Sequence, residues 1–104
     1  MKKIINGLRY DTAKSIMVGS YDNIGRGANS TIDIHYWEAT LYKTPKSGRF
    51  FLAGAGHAIA QFGTGTGWGE RVIPLDAEEA LQWAERYLDV EAIEEHFAEE
   101  FQDA

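Results

Sequence analysis

Residues 31–44 and 49–55 are both rich in β-forming side chains, and Thr44-Pro45-Lys46-Ser47-Gly48 joins them as a turn. The first strand is expected to start near Ile34. Folding the second back so that Thr44 faces Arg49 sets Leu41 opposite Leu52 and Tyr42 opposite Phe51. Side chains alternate across a strand. Trp37, Ala39, Leu41, Phe50 and Leu52 therefore share one face, and Tyr36, Thr40, Tyr42, Phe51 and Ala53 share the other. Both faces are apolar enough to need cover. One can pack on helices from the C-terminal part of the chain; the other needs the N-terminal segment or a partner.

The flanking sequence supplies candidates for both. Asn6-Gly7 lies between two extended runs, Lys2 to Ile5 and Leu8 to Tyr10, and predicts a tight opening hairpin because both residues tolerate positive φ. Asp11-Thr12 is expected to cap a brief helix over 13–18, stopped by Gly19, with Ile16 and Met17 on the core. Residues 20–30, broken by Asn23, Gly25 and Gly27, read as an irregular loop. Residues 56–69 read as a glycine-dense mobile loop with one helical turn at 58–61. A third strand of the meander is expected over 70–73, where Pro74 ends its pairing. Asp76 with Glu79 three positions on has capping-box spacing. Ala77, Ala80, Leu81, Ala84, Tyr87 and Leu88 then fall on one helical arc. Asp89 is placed to cap a second helix over 90–102, with Val90, Ile93, Phe97 and Phe101 as its apolar stripe. The expected fold is one α+β domain over 1–104: an antiparallel β-meander of about three strands plus an N-terminal hairpin, packed against a C-terminal αα-hairpin.

Charge divides this chain unevenly. Residues 76–104 hold eleven acids and a single base, Arg86, while residues 1–75 hold five acids and nine bases. The net charge is −6. With 44% hydrophobic residues the chain has enough apolar material to fold, so the acidic part is no disordered tail. Glu91, Glu95 and Glu99 recur at i, i+4, i+8, stepping about 6 Å along a helix. Glu94 and Glu100 flank the apolar stripe, Gln102 and Asp103 extend the end, Asp89 caps the helix, and Glu78 and Glu85 lie on the outer side of the preceding helix. Like charges at that spacing repel, and no lysine follows Lys46 to relieve them. Two such rows approach the charge density of a nucleic-acid strand, which shows one phosphate per roughly 3.4 Å. They suit a Lys/Arg-lined groove on a partner; a solvated helix face is the plainer account of the same run. Tyr36, Tyr42 and Trp68 are the candidate apolar contacts. A homodimer through the aromatic sheet face is a second way to use them.

Enzyme and cofactor signatures are missing. The chain has no cysteine, hence no disulfide or thiolate metal site, which fits a reducing cytoplasm. His35, His57 and His96 lack ligand spacing, so neither a metal nor a cofactor is expected. Gly54-Ala55-Gly56 lacks the third glycine of a dinucleotide fingerprint, and no Gly-Lys-Ser/Thr is present. The serines have no nucleophile elbow. An enzyme of another type would have to use His57 and its neighbouring glycines in a polar pocket. Ile4-Ile5 is too short for a signal-peptide core, and no apolar run approaches a bilayer span. Lys2, Lys3, Arg9, Lys14, Arg26, Lys43, Lys46, Arg49 and Arg71 are scattered along the chain, and the net negative charge opposes direct nucleic-acid or anionic-lipid binding.

Three blocks carry a resemblance. The opening Lys3-Ile4-Ile5-Asn6-Gly7-Leu8-Arg9-Tyr10-Asp11-Thr12 is the first. Glu38-Ala39-Thr40-Leu41-Tyr42 with Gly48-Arg49-Phe50-Phe51-Leu52 is the second, and Ile73-Pro74-Leu75-Asp76-Ala77-Glu78-Glu79-Ala80 is the third. In this order they resemble a family of short, mostly uncharacterised bacterial proteins often carried on phages and other mobile elements. The resemblance implies a small α+β domain in a mobile-element setting and brings over no catalytic residue. Small acidic proteins of such settings include anti-CRISPR and anti-restriction proteins, some of them nucleic-acid mimics. By analogy of size, charge and setting, not of motif, a CRISPR effector or similar complex is the expected partner; a regulator, antitoxin or adaptor using the aromatic sheet face is the alternative.

Overall fold

A computed structural model describes residues 1–58 and 60–104. Its centre is a four-stranded antiparallel meander of β3 (Ile16–Asp22), β4 (Trp37–Lys43), β5 (Phe50–Gly56) and β6 (Gly69–Leu75), in that spatial order. Ahead of it β1 (Lys2–Ile5) and β2 (Leu8–Asp11) form a separate hairpin, and α1 (Ala77–Tyr87) and α2 (Val90–His96) follow it. The fold is α+β, with the helical hairpin on one face of the sheet. No helix is long and apolar enough to cross a membrane among the described residues.

The central register is the one the side chains require. Leu41 pairs with Leu52 and Tyr42 with Phe51, and the Thr44 amide donates to the Arg49 carbonyl at 2.8 Å. On the helix side, Trp37, Ala39, Leu41, Phe50 and Leu52 join Val18, Phe62, Ala80, Ala84 and Phe97 in the main core. Across the sheet, Phe51 and Val72 are buried with Tyr10, and Ile5 and Tyr42 pack around them. The N-terminal hairpin thus covers the second face. Its turn is tight because Asn6 and Gly7 both take positive φ, 52° and 79°.

Four expectations are overturned. Residues 13–18 do not form a helix. Asp11 does cap, accepting from the Ala13 amide at 3.0 Å, but only the single 3₁₀ turn Thr12–Lys14 follows; Ile16 opens β3, which leaves Ile16 and Met17 exposed rather than on the core and takes residues 20–22 out of the expected loop. A β-branched start and seven residues of pairing with β4 outweigh a few residues of weak helical preference. β4 begins at Trp37 rather than near Ile34, because Asn23 holds the preceding segment in a loop. Its Oδ1 accepts from the Trp37 amide at 2.9 Å and its Nδ2 donates to the His35 carbonyl at 2.8 Å. Pro74 does not end pairing: β6 runs to Leu75, with Pro74 opposite Phe51. β6 is an edge strand, where a missing amide donor is tolerated.

The fourth correction shapes the acidic surface. α2 ends at His96, not at residue 102. Phe97 leaves the helix fully buried, its ring stacked on Phe50 at 4.8 Å, and residues 98–100 turn away after it. The acids at 94, 95, 99, 100 and 103 would all crowd the negative end of a longer helix dipole, which disfavours continuing it. Of the expected apolar stripe, Ile93 and Phe97 pack on the core, whereas Val90 and Phe101 are exposed.

Phe62, between β5 and β6, packs back on the sheet. Phe62 is buried against Trp37, and Gly56 and Gly69 close the loop as paired residues. The helical turn expected over 58–61 spans Ile59, which lies outside the described residues.

Candidate functional site

α1 starts with a reciprocal cap. The Glu79 amide donates to Asp76 Oδ1 at 2.8 Å, and the Asp76 amide donates to Glu79 Oε1 at 3.0 Å. Asp89 repeats half of this for α2, accepting from the Ala92 amide at 3.1 Å. These three carboxylates satisfy helix N-termini, so Asp89, a candidate contact by sequence, has a structural task. The other eight acids, Glu78, Glu85, Glu91, Glu94, Glu95, Glu99, Glu100 and Asp103, are all exposed.

Almost nothing neutralises them. Among the described residues two acid–base side-chain contacts are present, His35 with Asp33 and His96 with Glu95 at 3.6 Å, each an ion pair only when its imidazole is protonated; neither involves a lysine or arginine. The Arg86 guanidinium lies over the Tyr87 ring at 5.2 Å. Lys43 borders a shallow cleft with Glu95, Glu99 and Glu100, but its ammonium sits over the Phe50 ring at 5.4 Å. Since α2 stops at His96, Glu91 and Glu95 share a helical face while Glu99 follows in a turn. The expected ridge of three positions becomes two on a helix, then a cluster in the turn and tail.

The aromatic candidates are less available. Tyr36 is 5% exposed. Burial first, then the negative charges of Glu38 and Asp22, raise its phenol pKa. Tyr42 is half-buried and stacks on Phe51 at 5.3 Å, and Tyr10 of the hairpin meets Phe51 edge-on. Trp68 remains 42% exposed, stacked on Tyr36 at 6.3 Å and met edge-on by His57 at 4.7 Å. The aromatic sheet face is therefore largely covered by the chain's own hairpin, and of the three aromatic candidates Trp68, just ahead of β6, is the exposed one. Gly54 and Gly56 are β5 residues, packed against the Phe62 ring and the Gln61 carbonyl, with no phosphate-binding turn around them among the described residues. No group of three or more His, Asp or Glu could hold a metal among the described residues.

One ordered feature was not legible from sequence. Asp33 accepts from the Asn29 amide at 3.0 Å and the His35 amide at 2.9 Å, and its Oδ1 lies 3.0 Å from His35 Nδ1. These contacts, the backbone donors foremost, lower its pKa to about 2. The loop they shape displays Ile32 and Ile34, the former 83% exposed. A carboxyl held below its ordinary value stabilises the folded loop fully above about pH 4, and that contribution fades as pH falls through about 2. The Asn29 and His35 amides are expected to lose their bonded chemical shifts over that interval in NMR spectra. An Asp33→Asn variant should lack the transition. An Asp33 carboxyl that titrates near 4 would contradict it.

No known family model matches this chain, and no curated protein or solved structure is significantly similar to it.

Proposed function

We propose that this protein is a non-enzymatic inhibitor that acts as a carboxylate decoy. The acids of α1, α2 and the following turn would occupy a basic, nucleic-acid-binding surface of a target complex, as an anti-CRISPR protein does at a CRISPR effector. The setting is the cytoplasm of a bacterium carrying the protein on a phage or other mobile element. It needs no cofactor, membrane or direct nucleic-acid contact.

One observation carries this: eight exposed carboxylates within 29 residues have no lysine or arginine partner among the described residues. An unneutralised surface of this kind keeps its field. It would raise the association rate with a cationic groove and make binding fall as salt rises. Trp68 supplies an exposed aromatic next to a rigid sheet end, suited to an apolar anchor.

The test compares two double reversals that change net charge equally. Glu91→Lys/Glu95→Lys alters α2, and Glu38→Lys/Glu70→Lys alters exposed positions on β4 and β6. The readout is DNA binding by a purified CRISPR effector complex, followed by mobility shift at increasing salt. The unaltered protein is expected to inhibit, less so as salt rises. The α2 pair should inhibit at least tenfold more weakly, with the strand pair close to the parent. An α2 pair that inhibits as the parent does, with an unchanged circular dichroism spectrum, refutes the decoy.

A further inference from the structure

The bases of the first half, dispersed in sequence, converge in space. Arg9 and Lys14 come from the N-terminal hairpin and its 3₁₀ turn, Lys46 and Arg49 from the β4–β5 turn, and together they line a cleft of about 330 Å³. Leu8 and Pro45 add exposed apolar surface to its lining. Asp11 is the one acid on its wall, and that carboxylate already accepts from the Ala13 amide. None of the four cations is ion-paired among the described residues. The cleft is thus an apolar trough with a cationic rim, shaped for an acidic peptide that carries an apolar anchor.

This chain contains such a peptide. Glu99, Glu100 and Asp103 flank Phe101, which is 40% exposed, and the chain's own 97–104 segment does not line the cleft. The two surfaces also lie at the same end of the molecule. Lys43 borders Glu99 and Glu100 on the helix side, and Thr44, the next residue, is on the wall of the basic cleft. A tail-into-cleft contact exchanged reciprocally about a two-fold axis closes as a dimer rather than running on as a filament.

We infer that the cleft receives the Glu99–Asp103 segment of a second copy of this chain, giving a salt-sensitive homodimer. Phe101 enters between Leu8 and Pro45, and the flanking carboxylates meet Arg9, Lys14, Lys46 and Arg49. In the dimer Glu99, Glu100 and Asp103 are engaged by the second copy, which leaves Glu78, Glu85, Glu91, Glu94 and Glu95 to the decoy proposal; the test reads only the association of this chain with itself, so the two proposals fail separately.

Sedimentation velocity at low ionic strength is expected to show a dimer that dissociates at about 0.5 M salt, where the screening length falls to a few ångströms. Lys46→Glu/Arg49→Glu reverses the cleft and Glu99→Lys/Glu100→Lys reverses the tail; each alone should associate at least tenfold more weakly. Mixed in equal amounts they should dimerise again. One contact in the mixed pair is then unaltered and the other has both signs exchanged, and the restoration also shows that both variants fold. A parent monomeric at low salt and high concentration overturns the inference, as does a dimer that the reversals leave intact. So does a labelled single-stranded oligonucleotide that binds the monomeric parent and is lost in the cleft variant, which would assign the site to a nucleic acid.

Discussion

Phe97→Ala is expected to remove about 4 kcal/mol of stability and to lower Tm by roughly 20 °C. Phe97 is fully buried and its ring lies parallel to Phe50, 7° apart in plane, at the point where α2 ends. Alanine there leaves a ring-sized void beside Phe50, in a close-packed core whose members Leu41 and Leu52 are themselves nearly inaccessible. A domain of this size has about 5–15 kcal/mol in total, so the loss is a large fraction. The consequence reaches the acidic surface. α2 is seven residues long and buries no residue of its own, so Ile93 and Phe97 hold it to the sheet. An isolated helix of that length does not persist in water. In Phe97→Ala the field of Glu91, Glu94 and Glu95 should therefore become diffuse even where the sheet survives. Urea unfolding followed by near-ultraviolet circular dichroism measures the stability loss. A change below about 1 kcal/mol would mean that Phe97 is not the anchor of α2.

What could be read from sequence, and what could not, divides by the range of the interactions that decide each element. The Asn6-Gly7 turn, the Asp76–Glu79 cap and the Leu41–Leu52 register each depend on a few neighbours or on strand alternation, so the residues alone specify them. The β-structure of Ile16–Asp22 depends on β4, more than fifteen positions away, and a short local pattern suggested a helix instead. The end of α2 is set by Phe97 finding Phe50 across the fold, which helical period cannot express. The exposure of the C-terminal acids was legible because carboxylates without cationic neighbours have nowhere to go but solvent. The burial of Tyr36 and the partial burial of Tyr42 were not. An apolar sheet face needs cover, but composition does not say whether the cover is the chain's own hairpin or another molecule. The basic cleft was invisible for a related reason: Arg9 and Arg49 meet only once Tyr10 docks on Phe51.

Gly54→Ala should cost about 3 kcal/mol, although it adds one methyl to a strand interior where alanine is ordinarily harmless. A Cβ at Gly54 would lie 2.5 Å from two ring carbons of Phe62. Phe62 has little room to yield. It is buried, its ring lies 6.1 Å from that of Trp37, and its backbone takes φ of 72°, a conformation that a bulky residue adopts only under constraint. That constraint is the packing itself: Gly54 provides the slot, Phe62 fills it, and the contact bends the chain on its way to Trp68. Removing the slot should expel the ring, release the strained backbone and loosen the Trp68–Tyr36 stack, so tryptophan fluorescence should shift along with stability. A double-mutant cycle isolates the cause. Phe62→Ala alone is expected to cost about 3 kcal/mol through the lost ring. Adding Gly54→Ala to it should cost little more, since the added methyl then occupies space the ring has vacated, which leaves a coupling of about 2–3 kcal/mol. Additive losses would mean that the Gly54 effect arises elsewhere along β5 and that the slot does not hold the loop.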